Sequence, residues 1–215
     1  MSIKASKIIG QTQRNWDETS PVTEEEIQYL VDVSSNAPTK NNLNLFKLFV
    51  STNIEFNTAI QNWAYNSEEK MPDLETNQKT TEFNSQVAAP LLMMYLVIDK
   101  SFYQYDKEVS HPDAIFSAGV AAGATALASA EIGYQTGFCS CLHISGLIEY
   151  VSNKFNSDFF QEFWTDVEIH DVLCLGIGKK NPNARHRSQI FKDGKVKFSK
   201  RASNRKIKPS VLIYK

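Results

Sequence analysis

The sequence predicts an α/β or α+β sandwich, and three observations carry that expectation. The apolar run Leu91–Ile98 has the length and character of a fully buried strand. Two segments carry helix-start signals, Thr23-x-x-Glu26 and Ser110-x-x-Asp113. Strand-like and helix-like stretches then alternate along the chain, which calls for a sheet covered by helices.

The elements follow in order. A short helix is expected over Ser2–Ile9, stopped by Gly10. A second starts after Thr23, with Ile27, Leu30 and Val31 at helical spacing, and Pro38 forbids its continuation. Leu43–Ser51 reads as a strand, and Asn53 as the cap of a helix reaching about Tyr65. Asn66–Thr80 is polar, contains Pro72, and reads as an excursion from the fold. A long helix is expected from about Asp113 to Ile132, with Pro112 in its first turn and Gly133 as its stop. Along it, Ala114, Ala118, Ala122, Ala126 and Ala130 recur every fourth residue, with Gly119 and Gly123 on a neighbouring row. Such small residues suit either a plain core helix or a helix packed across a dimer axis. Gln135–Cys141 and Val172–Ile177 read as strands, Ser145–Asn153 as a helix, and Val211–Tyr214 as a last strand that needs a sheet edge to join.

With 215 residues, 42% of them hydrophobic, the chain can bury one real core, so residues 1–215 are read as a single domain. No uninterrupted apolar run approaches the roughly 20 residues of a membrane span. The N-terminus MSIKASKIIGQTQ has no apolar core of a secretory signal, so a cytoplasmic location is expected. The net charge of −1 conceals an asymmetry. Residues 179–215 hold 13 Lys and Arg against Asp193 alone, leaving 10 basic and 23 acidic residues in the body. This basic arm suits a phosphate-bearing cofactor or docking on an acidic surface. It lacks the aromatic interleaving of a nucleic-acid arm, which argues against a nucleic-acid partner. Cys139, Cys141 and Cys174 form no disulfide framework and no C-x-x-C motif, and read as buried, reduced strand residues.

Dinucleotide, phosphate-loop, zinc-protease and serine-hydrolase motifs are all absent from the sequence. The four histidines have no metal-ligand spacing. Neither a protein nucleophile nor a metal is therefore expected.

Four separated segments, in order and in register, resemble the nitroreductase family. Gln11-Thr12-Gln13-Arg14-Asn15-Trp16 is similar to a degraded form of that family's R-R-S-x-R-x-F/Y/W opening. Asn36-Ala37-Pro38-Thr39-Lys40-Asn41-Asn42 resembles its A-P-S-S-x-N segment. Ser117–Ala122, through Glu131-Ile132-Gly133-Tyr134, resembles its D-A-G-x-A-A helix ending in L-G. Leu175-Gly176-Ile177-Gly178 with Arg185 and Arg187 resembles its closing strand and basic phosphate contact.

The resemblance implies an α+β three-layer sandwich. Its central, mainly antiparallel sheet would be flanked by helices, in an intertwined homodimer with an extended C-terminal arm. It implies FMN as cofactor and NADH or NADPH as electron donor. Arg14 would stand beside the flavin pyrimidine, where a positive charge favours the anionic reduced ring. Thr12 would keep the family's hydroxyl, and Gln13 belongs to the same opening segment. Gln11 stands where an arginine is usual, so one phosphate contact moves, with Lys7 or Lys40 as replacements. Asn42 would bond the ring edge and Thr39 would reach the cofactor from the other subunit. Asn84 is a further candidate contact. Ser140 and Cys141, in place of the family's glycines, would offer main-chain N–H groups to flavin N5 and leave less room above the ring. Arg185 and Arg187, alternating in an extended segment, would share a face toward the phosphate. The family's reaction is ping-pong: NAD(P)H reduces the flavin, and a small-molecule acceptor such as a nitroaromatic or quinone reoxidises it. Alternatives are a specialised flavoprotein of the same fold, which dehalogenates or modifies flavin, and a non-enzymatic binding protein on this scaffold.

Overall fold

The structure is a computed structural model that describes residues 12–66, 86–98, 110–140, 150, 153–155, 167–183, 189–192 and 195–198. The expected elements at Ser2–Ile9 and Val211–Tyr214, all of Asn66–Thr80 but Asn66, and most of Ser145–Asn153, fall outside them.

Helix α1 spans Glu24–Ser35. The capping box is formed as the sequence predicts: Glu26 N donates to Thr23 Oγ1, and Thr23 N donates to Glu26 Oε2 at 2.9 Å. Asn36 ends the helix, two residues before Pro38. A 3-10 turn at Lys40–Asn42 follows, and strand β1 starts only at Phe46, running to Ser51. Leu43–Leu45, expected in that strand, instead lead out of a turn whose Asn41 and Asn42 both have positive φ, 53° and 58°. Asparagine tolerates left-handed backbone better than most side chains; Leu43 is already extended beyond it, but a sheet partner is first met where Phe46 pairs with Val97. Asn53 caps helix α2, Ile54–Asn66, by accepting from Phe56 N at 3.0 Å. Strand β2 is Leu91–Ile98. Helix α3 runs His111–Glu131 and is closed by Gly133 at φ 94°. Strand β3 spans Gln135–Cys139 and β4 spans Val167–Gly178. The early start of β4 is set by pairing of Val167 with Ile98, beyond an irregularity in register.

The four strands form one antiparallel sheet in the order β1-β2-β4-β3. Its two faces bury different clusters, as a period of two requires. Phe46, Met93, Tyr95, Val97, Leu175 and Ile177 face α1 and α3. Phe49, Leu92, Met94, Leu96, Cys139 and Cys174 face Phe56 and Ile60 of α2. The architecture is thus helix, sheet, helix in three layers, and Cys139 and Cys174 are buried and paired in register on adjacent strands.

Helix α3 turns its two rows of small residues to different sides. The alanine row is buried throughout, with Ala114, Ala118, Ala122 and Ala126 in the core cluster shared with the chain's own sheet and α1, and Ala130 buried beyond them. The glycine row faces outward, and a Cβ built on Gly119 or Gly123 meets nothing within 4 Å. By length and apolar composition α3 is also the one helix among the described residues that matches a membrane span. Ten of its residues are nonetheless buried within the chain, and Ser117, Thr125 and Ser129 donate to carbonyls one turn back.

A second sheet, the hairpin β5 Gln189–Lys192 and β6 Lys195–Phe198, lies inside the basic arm. Sequence reading treated that region as one extended arm. The Asp193-Gly194 dipeptide between the two strands is a hairpin signal that could have disclosed it.

Candidate functional site

The residues after Thr12 lie against the β3–β4 side of the sheet. Gln13 N donates to Thr136 O at 2.9 Å, which adds this segment to the edge strand β3. Further along, Asp17 N donates to Lys179 O and Asn181 N to Asn15 O, at 2.9 and 3.0 Å. Trp16 bridges Lys180 in the same antiparallel run.

Gln13 is buried, and its carboxamide organises the turn. Its Oε1 accepts from Arg14 N at 2.9 Å and from Asn15 N at 3.1 Å, while its Nε2 donates to Gln135 Oε1. Arg14 is half-buried, and its Nη1 donates to Oε1 of buried Gln86 at 2.8 Å. Two glycines admit this arrangement. A Cβ on Gly137 would lie 2.5 Å from Gln13 O and 2.6 Å from Gln86 Cβ, and one on Gly176 would overlap the Gln86 carbonyl oxygen. Three chain segments, around residues 13, 86 and 135–137, therefore converge at one corner of the sheet. The side-chain acceptors supplied there by Gln13, Gln86 and Gln135 are carboxamides, which orient a cation without neutralising it.

Thr39, Lys40 and Asn42 occupy a different corner. Their turn sits beside the start of α3, where Lys40 Nζ lies 3.9 Å from Asp113 Oδ1. Asp113 reaches back to cap that helix, accepting from Ser110 Oγ at 2.6 Å and Ser110 N at 2.8 Å. These bonds hold its carboxyl below the usual range. Thr39 Oγ1 is buried and makes no hydrogen bond. Asn42, in left-handed backbone, is exposed.

Helix α3 separates the two corners. The Thr39–Asn42 turn is at its N-terminus, whereas Gln13 bonds β3 just past its C-terminus. A helix of 21 residues, about 30 Å long, lies between them along the chain. Thr39 and Asn42 are three residues apart in one turn. Thr12 is half-buried beside Gln13, and Ser140 is exposed just beyond β3. Gln11, Asn84, Cys141, Arg185 and Arg187 lie outside the described residues.

Sequence reasoning missed Gln86 and Gln135. Neither stands in a recognisable motif, and only the register of β3 beside β4 brings them to Gln13 and Arg14.

A bound FMN would need donors for its pyrimidine edge, hydroxyl-compatible groups along its ribityl chain, and cations for its phosphate. The Arg14 guanidinium fits the first requirement. The Thr39 hydroxyl, buried without a hydrogen bond, and exposed Asn42 fit polar contact with a cofactor.

Comparison with known proteins follows this geometry. The nitroreductase family model matches residues 11–175 of the 215. No curated protein matches the chain. Among solved structures, the fold is similar to that of a nitroreductase with bound FMN from Desulfitobacterium hafniense. The TM-score is 0.60 at 15% identity, over 86% of this chain and 93% of the other. A nitroreductase with bound FMN from Bacteroides fragilis gives 0.56 at 14% identity, over 93% and 100%. An FMN-dependent nitroreductase from Clostridium difficile gives 0.55 at 13% identity, over 85% and 90%. At these identities the structures bear on fold alone, while the family match spans both corners and the helix between them. The chain belongs to the nitroreductase family.

Proposed function

We propose that this protein is an FMN-dependent NAD(P)H oxidoreductase that works in the cytoplasm as a homodimer by a ping-pong cycle. Its acceptor would be a small organic molecule such as a nitroaromatic or quinone. One observation carries the reading: the split of the candidate residues between the two ends of α3, whose outer face is open and apolar. Phe116 is 69% exposed, and Ile115 and Val120 are exposed beside it. A two-fold axis through that face would run two α3 helices antiparallel. The Thr39–Asn42 turn of one chain would then meet the Gln13–Arg14 corner of its partner, completing two equivalent sites. The reading is also supported by the FMN named in the structures of similar fold.

When bound, FMN supplies the two-electron chemistry, taken from NADH or NADPH and passed to the acceptor. Arg14 would place a positive charge at the pyrimidine end, held by Gln13 and Gln86. Thr39 and Asn42 would add polar contacts from the second chain. Ser140 and Cys141 would approach with their main chain, and Arg185 and Arg187 would hold the phosphate. The experiment is direct. The purified protein should be yellow, and its flavin spectrum should bleach anaerobically with NADH or NADPH. A colourless protein that takes up no added FMN refutes the reading. A yellow protein that neither nicotinamide reduces points to a specialised flavoprotein instead.

A further inference from the structure

We propose that Gln86 is a positioning residue: its side-chain carbonyl holds the Arg14 guanidinium in one orientation, so that the Arg14 charge is presented at a fixed point beside bound FMN. The inference rests on the FMN reading above and adds to it a residue that no motif marks.

Three features make Gln86 suited to this task. Its Oε1 accepts from Arg14 Nη1 at 2.8 Å. Its backbone is held against the sheet, with its carbonyl over Gly176 and its Cβ over Gly137, positions where any side chain would collide with it. Gln86 is only 3% exposed, so water does not compete freely for its carboxamide. An acceptor fixed in this way restricts an arginine that otherwise has four rotatable side-chain bonds and a high entropy of ordering.

The choice of amide over carboxylate has a consequence. A glutamate at this place would bind the guanidinium more strongly. It would also add a negative charge beside it and reduce the positive potential felt by an anionic ring. Gln86 fixes direction and leaves the sign of the field unchanged. Gln13 acts similarly on the backbone side, accepting from Arg14 N at 2.9 Å. The guanidinium and the main chain that bears it are thus both oriented by neutral carboxamides.

Two measurements test this. The first is a double-mutant cycle read by FMN binding: apoprotein is titrated with FMN and quenching of flavin fluorescence is followed for wild type, Gln86→Met, Arg14→Ala and the double variant. Methionine keeps the length and removes the acceptor. Gln86→Met should weaken FMN binding about fivefold when Arg14 is present, as loss of roughly one hydrogen bond predicts. It should have less than about a twofold effect when Arg14 is alanine. A purely structural Gln86 would cost the same in both backgrounds, and that result overturns the proposal. The second measurement covers the case in which Gln86→Met does not fold. The near-isosteric Gln86→Glu should lower the two-electron midpoint potential of bound FMN by about 30 mV, a tenfold loss of preference for the reduced form. An unchanged potential overturns the proposal. If wild type binds FMN and only these tests fail, Gln86 loses its role and the oxidoreductase reading stands. If wild type takes up no FMN, both fall together.

Discussion

Gly137→Ala should damage the protein through two segments at once. The added Cβ would sit 2.5 Å from Gln13 O and 2.6 Å from Gln86 Cβ. Non-bonded heavy atoms settle at roughly 3.5–4.0 Å, so each neighbour would have to retreat by about 1 Å. Neither can do so by rotating a flexible tip, because one contact is backbone and the other is the root of a buried side chain. Retreat of Gln13 also strains its N–H bond to Thr136 O. Overpacking of this kind costs about 1–3 kcal/mol, and loss of one hydrogen bond adds about 1 kcal/mol. A chain of this length loses about 2–4 °C in Tm per kcal/mol, so the expected fall is roughly 4–15 °C. Thermal unfolding followed by circular dichroism measures it. The same displacement moves both carboxamides that orient Arg14, so FMN titration of the folded variant at low temperature should show weaker binding. A Tm within about 1 °C of wild type would refute the close packing of these segments on β3.

Other consequences follow from single contacts. Phe116→Glu puts a charge in the middle of the exposed apolar face of α3. It should convert the proposed dimer to monomer in sedimentation at micromolar concentration and weaken the proposed FMN binding, and a dimer unaffected by it would exclude this face from the interface. Gly119→Ala has room within the chain, so the added methyl would strike only a partner seated on the outer face of α3, and Tm should fall. A gain, as expected of a helix-interior alanine with nothing against it, would exclude a partner on that row. Burial, reinforced by donation of its hydroxyl to Glu26 Oε2 at 2.8 Å, pushes the Tyr134 phenol up to about 12. A raised phenol favours the protonated, folded state, so its contribution is complete below the ordinary value of 10.0 and is lost as pH climbs from there through about 12. Stability measured across that window should decline in wild type and decline less in Tyr134→Phe. Equal slopes would remove Tyr134 from the alkaline transition.

Much of the fold was legible because its signals are local. The capping boxes at Thr23 and Ser110 and the stop at Gly133 depend on neighbours within four residues, and their geometry formed as the spacing implied. Leu91–Ile98 could hardly be anything but a central strand. Where local chemistry was overridden or overlooked, a specific cause is visible. Leu43–Leu45 looked like strand, and Leu43 is extended, but a sheet partner is met only where Phe46 pairs with Val97. The 189–198 hairpin was obscured by the charge of its surroundings, despite its Asp-Gly dipeptide.

The site divides along the same line. Arg14 and the Thr39–Asn42 turn were found by their place in segments that resemble a family, and the order of those segments is a property of sequence. What lies between them is α3, whose 21 residues make about 30 Å of helix along the chain between the two corners. Gln86 and Gln135 were invisible for a related reason. A glutamine carries no positional signature of its own, and its partner lies 72 residues away for Gln86 and 122 for Gln135. By itself, then, the sequence determined the caps, the core strand, the small-residue helix and the family. Only the tertiary structure decided which residues share a corner. Strand register and glycine-permitted close packing act between segments far apart in the chain, and no window along the sequence contains both partners.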